Sequence, residues 1–162
     1  MRCCAALLGL ALGVSCLARA GDFPAAPEFA LKALDGRNHR LSEYRGEVVA
    51  VVFWASWCGG CREQLALMRD LRTLYADWGL QVLAVNLDDR PRAAAGVSST
   101  LGLGYPVLQD TDKAVSRTWD PPSLPATYLV DREGRLRYAQ GAGDGPPETR
   151  KLIARLRALL DE

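Results

Sequence analysis

The sequence has no excess of charge of either sign. Its 20 Lys and Arg stand against 19 Asp and Glu, a formal charge of +1 at pH 7. That removes the electrostatic case for nucleic acid or an anionic membrane as a partner. Histidine is almost missing, with His39 alone, so a metal centre built on imidazoles lacks its ligands. Apolar runs are short as well. The longest, Cys3 to Leu17, is about 15 residues, below the roughly 20 that span a bilayer as a helix. There is no internal repeat and no low-complexity tract, and 162 residues suffice for one domain with one good core.

Cysteine is scarce and unevenly placed. Three of the five (Cys3, Cys4 and Cys16) fall in the first twenty residues, which read as a secretory leader. Met1-Arg2 gives a positive start, the apolar run follows, and Ala18-Arg19-Ala20 offers small residues where a signal peptidase reads. The reading is a signal peptide over 1–20 and a single domain over 21–162, with a short N-terminal anchor as the outcome if the leader stays uncleaved. Without the leader the formal charge becomes −1, and Cys58 and Cys61 are the only thiols left. An exported domain with one closely spaced pair is no disulfide scaffold, because so small a ring constrains almost nothing. The pair is there for its chemistry.

Strand and helix patterns alternate along the domain. Phe29–Leu34 and Asn38–Leu41 flank the turn Asp35-Gly36 and read as a hairpin. Leu41–Gly46 is a helical turn closed by glycine. Val48–Trp54 is a continuous, largely β-branched apolar run, suited to a strand buried on both faces. Gly59–Trp78 carries apolar residues at helical spacing (Leu65, Met68, Leu71, Leu74, Tyr75 and Trp78) and stops at Gly79. A strand over Gln81–Leu87 and a helix from Pro91 toward Leu101 follow. Next come an extended Val107-Leu108 and a short helix over Asp112–Trp119. Strands over Ala126–Val130 and Arg135–Tyr138 and a final amphipathic helix over Thr149–Leu160 complete the chain. The class is α/β, a central mixed sheet covered by helices on both faces, with an N-terminal β-hairpin extension.

The Cys58-Gly-Gly-Cys61 pair sits where the buried strand hands over to a helix. A helix N-terminus has unpaired N–H groups and the positive end of the macrodipole, both of which favour a thiolate. Cys58 is therefore the attacking sulfur. Cys61, one turn on and facing the core, resolves the mixed disulfide. A structural disulfide and a zinc site are the competing readings. The first fails on the small ring, the second on the absence of further ligands. Trp57 lines or shields a docking surface, or simply packs, while Trp54 belongs to the core. His39 is an ordinary residue of the hairpin. Arg150, Lys151, Arg155 and Arg157 form the solvated face of the last helix.

Three segments together resemble the TlpA/ResA/DsbE branch of thioredoxin-like proteins. They are Phe53-Trp-Ala-Ser-Trp-Cys-Gly-Gly-Cys61, Leu124-Pro125-Ala-Thr-Tyr-Leu-Val-Asp131 and the Asp131–Gly134 turn. The resemblance implies a thioredoxin-like fold and a cis Leu124–Pro125 bond packed against the cysteines. Backbone polar groups at that bond can pair with an extended peptide. It also implies an acid after the Val85-Asn86-Leu87 strand, a place Asp89 fills, able to move a proton to or from Cys61. Asp88-Asp89 before Arg90-Pro91 equally suits ordinary helix entry. Val52 stands where thioredoxin itself keeps an acid. Two positions depart from the pattern: Gly60 replaces the usual proline before the second cysteine, and Gln64-Leu65-Ala66 replaces Glu-hydrophobic-Pro after it.

The function implied is an exported, periplasmic thiol–disulfide reductase without a cofactor, acting as a monomer. A membrane-embedded thiol donor keeps it reduced, and its clients are disulfides of cell-envelope proteins of the cytochrome c maturation or copper-site assembly type. The alternatives are an oxidase or isomerase using the same pair, and a Cu(I)-binding chaperone using the thiolates as soft ligands.

Overall fold

The computed structural model describes residues 23–142 and 145–162. The leader, its cleavage position and Cys3, Cys4 and Cys16 lie outside the described residues.

The apolar run forms strand β3 (Val48–Trp54), every residue of which is buried. It lies at the centre of a five-stranded sheet of order β5-β4-β3-β6-β7. β4 (Leu80–Asn86) pairs with it in parallel, and β5 (Val107–Gln109) continues in parallel beyond β4. On the other side β6 (Ala126–Val130) and β7 (Leu136–Gln140) add antiparallel. The hairpin of β1 (Ala30–Lys32) and β2 (Asn38–Arg40) is a separate two-stranded sheet. It is tied to the edge at β5 by the Leu34 N–H donating to Val107 O at 2.9 Å. This is the thioredoxin-like α/β arrangement, with its mixed sheet and N-terminal hairpin.

Alternation along β3 divides the core into two layers. Val48, Ala50, Val52 and Trp54 face three helices, α1 (Cys61–Tyr75), α2 (Pro91–Leu101) and α4 (Gly145–Asp161). They meet Leu65, Met68 and Leu71 from α1, and Leu152, Leu156 and Leu159 from α4. Val49, Val51 and Phe53 face the hairpin side and α3 (Ala114–Trp119). There Phe53, Trp119 and Tyr128 form a cluster with ring centroids 5.1–5.7 Å apart. Both cysteines belong to the first layer.

Three details differ from the sequence pattern. Beyond Leu71 the stripe keeps only Tyr75 against the core, since Leu74 is 62% and Trp78 60% exposed. Leu74 lies within regular α1, off its buried face, and Trp78 lies in the 3₁₀ turn over Ala76–Trp78 that follows. α1 begins at Cys61 rather than Gly59. α4 begins at Gly145, its prolines falling in the first turn, where a missing N–H costs nothing.

The β6–β7 turn depends on Gly134, at φ +77°. A Cβ there meets only the movable guanidinium of Arg45, so the cost of Gly134→Ala is conformational. We expect a loss of about 1–2 kcal/mol, read as a lower midpoint in urea at unchanged slope.

Candidate active site

The site is built at the C-terminal end of β3. Trp54 closes the strand, 1% exposed, and its carbonyl accepts the Leu87 N–H at 2.9 Å, extending the pairing with β4 by one residue. The chain then turns. The Cys58 N–H donates to Ala55 O at 3.2 Å and the Cys61 N–H to Cys58 O at 3.3 Å. Cys61 is the first residue of α1, so the free N–H groups and dipole of a 15-residue helix end on this turn. The two sulfurs are joined as a disulfide, Cα–Cα 5.4 Å.

The two cysteines are not equivalent. Cys61 is 0% exposed beneath α1, whereas Cys58 is 8% exposed at the rim, next to a Trp57 that is 72% exposed. The solvent-facing member of the pair is Cys58. Trp57 is the largest apolar group standing out at the site, while Trp54 is core, the division the sequence suggests.

Leu124-Pro125 closes the other side. The bond is cis, the isomer the resemblance implies. Both residues are half-buried. A Cβ on Gly60 would stand 3.7 Å from the Pro125 ring, so this loop lies directly against the Cys58–Cys61 turn. That is an ordinary van der Waals separation, so space alone does not require glycine at 60. Gln64, one turn beyond Cys61, donates from Nε2 to the Thr127 hydroxyl at 2.8 Å. Thr127 is buried in β6 two residues after Pro125, and this bond ties the cysteine helix to the proline strand.

The acid is placed differently from the expectation. Asp89 turns to solvent, its side chain 91% exposed and paired with Lys113 Nζ at 3.0 Å. It does not cap α2 either, whose N-terminus has no side-chain cap. Its neighbour Asp88 is the buried one, 6% exposed. The Asp88 carboxylate accepts the Ser56 N–H at 3.1 Å, the Ser56 hydroxyl at 3.0 Å and Asn86 Nδ2 at 2.9 Å. The physical reason is phase. Adjacent residues of extended chain point to opposite sides, and Ser56 captures the first of the two acids. A polar residue just before Trp57 and the Asn86-x-Asp88 spacing were the available signals. Val52, 0% exposed in the same layer as Cys61, supplies no proton-moving group.

None of the cavities described is lined by Cys58, Cys61, Trp57 or Pro125. The largest cavity described, about 490 Å³, is lined by Phe23, Asp131, Arg135, Arg137 and Glu162. It lies at the opposite end of the sheet, because Val130 pairs with Val49 at the start of β3. There Arg137 bonds the buried Asp131 at 2.9 Å and Glu162 at 2.8 Å. These ion pairs hold the Arg137 guanidinium above its ordinary pKa, first through Glu162 and then through Asp131. That end of the molecule is a structural clasp.

A buried strand delivering a Cys-x-x-Cys turn to a helix, opposite a cis-proline loop, is matched in known proteins. The AhpC/TSA family matches residues 24–139. The chain belongs to that family. It is similar to the thiol-disulfide oxidoreductase ResA of Geobacillus thermodenitrificans, 34% identical over 112 residues, 69% of this chain and 64% of that protein. It is similar also to ResA of Bacillus subtilis, 31% identical over 68% of this chain and 62% of that protein. The chain thus spans less than two thirds of the length of these relatives. Among solved structures, a Chlorobium tepidum protein assigned as thiol:disulfide interchange protein DsbE superposes with a TM-score of 0.80 at 32% identity. It covers 85% of this chain and 96% of its own.

Proposed function

We propose that this AhpC/TSA-family chain is an exported thiol–disulfide oxidoreductase that reduces disulfides of cell-envelope proteins through Cys58 and Cys61. The observation that carries the reading is the inequality of the pair: Cys61 sealed in the core, Cys58 at the rim beside Trp57. The Cys58 thiolate attacks one client sulfur. The client S–S bond breaks, a mixed disulfide forms, and the leaving thiolate takes a proton. Cys61 then loses its proton, attacks the Cys58 sulfur and releases the second client thiol. Two electrons pass from the pair to the client, and a donor dithiol returns them. In this reading the donor is membrane-embedded and the clients are of the cytochrome c maturation or copper-site assembly type.

An exposed Trp57 on one side of the pair and the half-buried Leu124–Pro125 loop on the other suit an extended peptide. We expect Trp57→Ala to raise KM for a protein disulfide about three- to tenfold with kcat within about twofold. Steady-state kinetics on insulin checks it.

The test of the whole reading is the Cys61→Ser protein, presented with an oxidised protein substrate. It should stop at a stable mixed disulfide through Cys58, identified by peptide mass mapping. A Cys58→Ser protein that traps as well, with none trapped by Cys61→Ser, would reverse the assignment of the nucleophile.

A further inference from the structure

Three acids are buried among the described residues: Asp88, Asp110 and Asp131. Asp131 meets Arg137, and Asp110 accepts the first amides of α3, from Val115 and Ser116. Asp131 lies at the opposite end of the sheet from the cysteines, and Asp110 holds the start of α3, its own N–H donating to Asn86 O at 3.0 Å. Asp88 differs in where its neutral donors lie: they are the Ser56 amide, the Ser56 hydroxyl and the Asn86 carboxamide, and Ser56 is part of the cysteine turn. A site that offers only donors suits a carboxylate, which only accepts. A buried charge held by neutral groups is poorly screened and acts over a longer range than one on the surface. It contacts the chain two residues before Cys58.

The other charged groups around the turn are Arg62 and Glu63 in the first turn of α1, Arg90, and the Asp89–Lys113 pair. Arg62, Glu63, Asp89 and Arg90 are exposed and Lys113 is half-buried. Arg62 and Glu63 oppose one another, as do Asp89 and Lys113, and water screens them. That leaves the exposed Arg90, which water screens as well, the buried Asp110 at the start of α3, and the buried Asp88, the one of these that binds the cysteine turn. It favours whichever state of the couple carries less negative charge nearby. The disulfide is neutral and the reduced pair carries the Cys58 thiolate.

We propose that the buried Asp88 carboxylate is a fixed negative charge that biases the Cys58–Cys61 couple toward its disulfide, making the reduced pair a stronger reductant. The proposal rests on the redox reading above. Asp88 is here a positioning residue, acting through its field on Cys58 and its hold on Ser56, without touching the sulfurs.

The experiment equilibrates purified protein with glutathione near pH 8. Two glutathione thiols give up two electrons and two protons, one glutathione disulfide forms, and the Cys58–Cys61 bond breaks. Asp88→Asn should shift this equilibrium about three- to tenfold toward the dithiol. It should also move the pH midpoint of Cys58 alkylation downward. The same one-charge change at exposed Asp89 should shift the equilibrium less than about twofold. The exchange N86D/D88N keeps one carboxylate in the cluster and restores donor–acceptor pairing, so it should return most of the shift.

Equal shifts from the two aspartate variants, no shift from Asp88→Asn, or no recovery in the exchange variant would each overturn the proposal. If Asp88→Asn does not fold, the parent decides. With carbon-13-labelled aspartate, the reduced protein should show a step in the Asp88 carboxyl resonance at the pH where Cys58 ionises, absent from Cys58→Ser. Lack of that step overturns the proposal as well. A parent that never equilibrates with glutathione overturns the redox reading itself, which is a different result.

Discussion

Cys58→Ser protein should reduce insulin no faster than the chemical donor does alone. Nothing else in the domain can replace the lost thiolate. Cys61 is 0% exposed, and His39, the only histidine, lies in β2 with Nδ1 2.6 Å from the Tyr44 hydroxyl. A catalytic nucleophile removed in this way costs orders of magnitude, roughly a thousandfold or more. Cys61→Ser should behave differently. Its first turnover proceeds at near the parent rate, because Cys58 keeps its place before α1. The second does not follow, because the mixed disulfide has no resolving thiol. A burst of one equivalent per chain, then arrest, is the kinetic signature. Stopped-flow mixing with an oxidised substrate separates the two variants in one experiment.

The largest effect on stability should come from Phe53→Ala. Phe53 is 0% exposed in the central strand, edge-on to Tyr128 at 84° with centroids 5.7 Å apart. Trp119 leans on it at 5.7 Å. Its removal loses the transfer energy of a benzyl group and leaves a cavity that β3, hydrogen-bonded on both sides, cannot close. The cost is about 3–5 kcal/mol, against a total of roughly 5–15 kcal/mol for a domain. Calorimetry should place the melting temperature lower by roughly 10–20 °C. Phe53→Leu keeps most of the volume and should cost about 1–2 kcal/mol. The redox pair lies in the opposite layer, so Phe53→Leu should exchange disulfides at the parent rate.

These two residues also show what was legible from sequence. β3 was readable to the residue, because seven consecutive apolar residues in a chain of alternating elements admit only a central strand. From that strand the cysteine turn, the burial of Cys61 and the core place of Trp54 follow by period and position, whereas Trp57 stayed open between docking surface and packing. The buried acid did not follow. Asp88 and Asp89 are adjacent and chemically identical, and which one turns inward depends on a one-residue phase after the strand ends. Ser56 fixes that phase from 32 positions away in the chain. Trp78 escaped for a related reason, since the 3₁₀ turn over Ala76–Trp78 shifts it around the helix axis, while Leu74 simply lies off the buried face of α1. Periodicity reads within an element. At element ends a single tertiary contact overrides it.

The central claim is that Cys58 and Cys61 form a reversible couple poised to give electrons to other proteins. The direct measurement is the reduction potential of the purified pair, from its equilibrium with dithiothreitol and glutathione buffers. The pair should behave as a reversible two-electron couple near that of thioredoxin, about −270 mV. A value close to the strong oxidant DsbA, about −120 mV, or a disulfide that does not equilibrate, would contradict it.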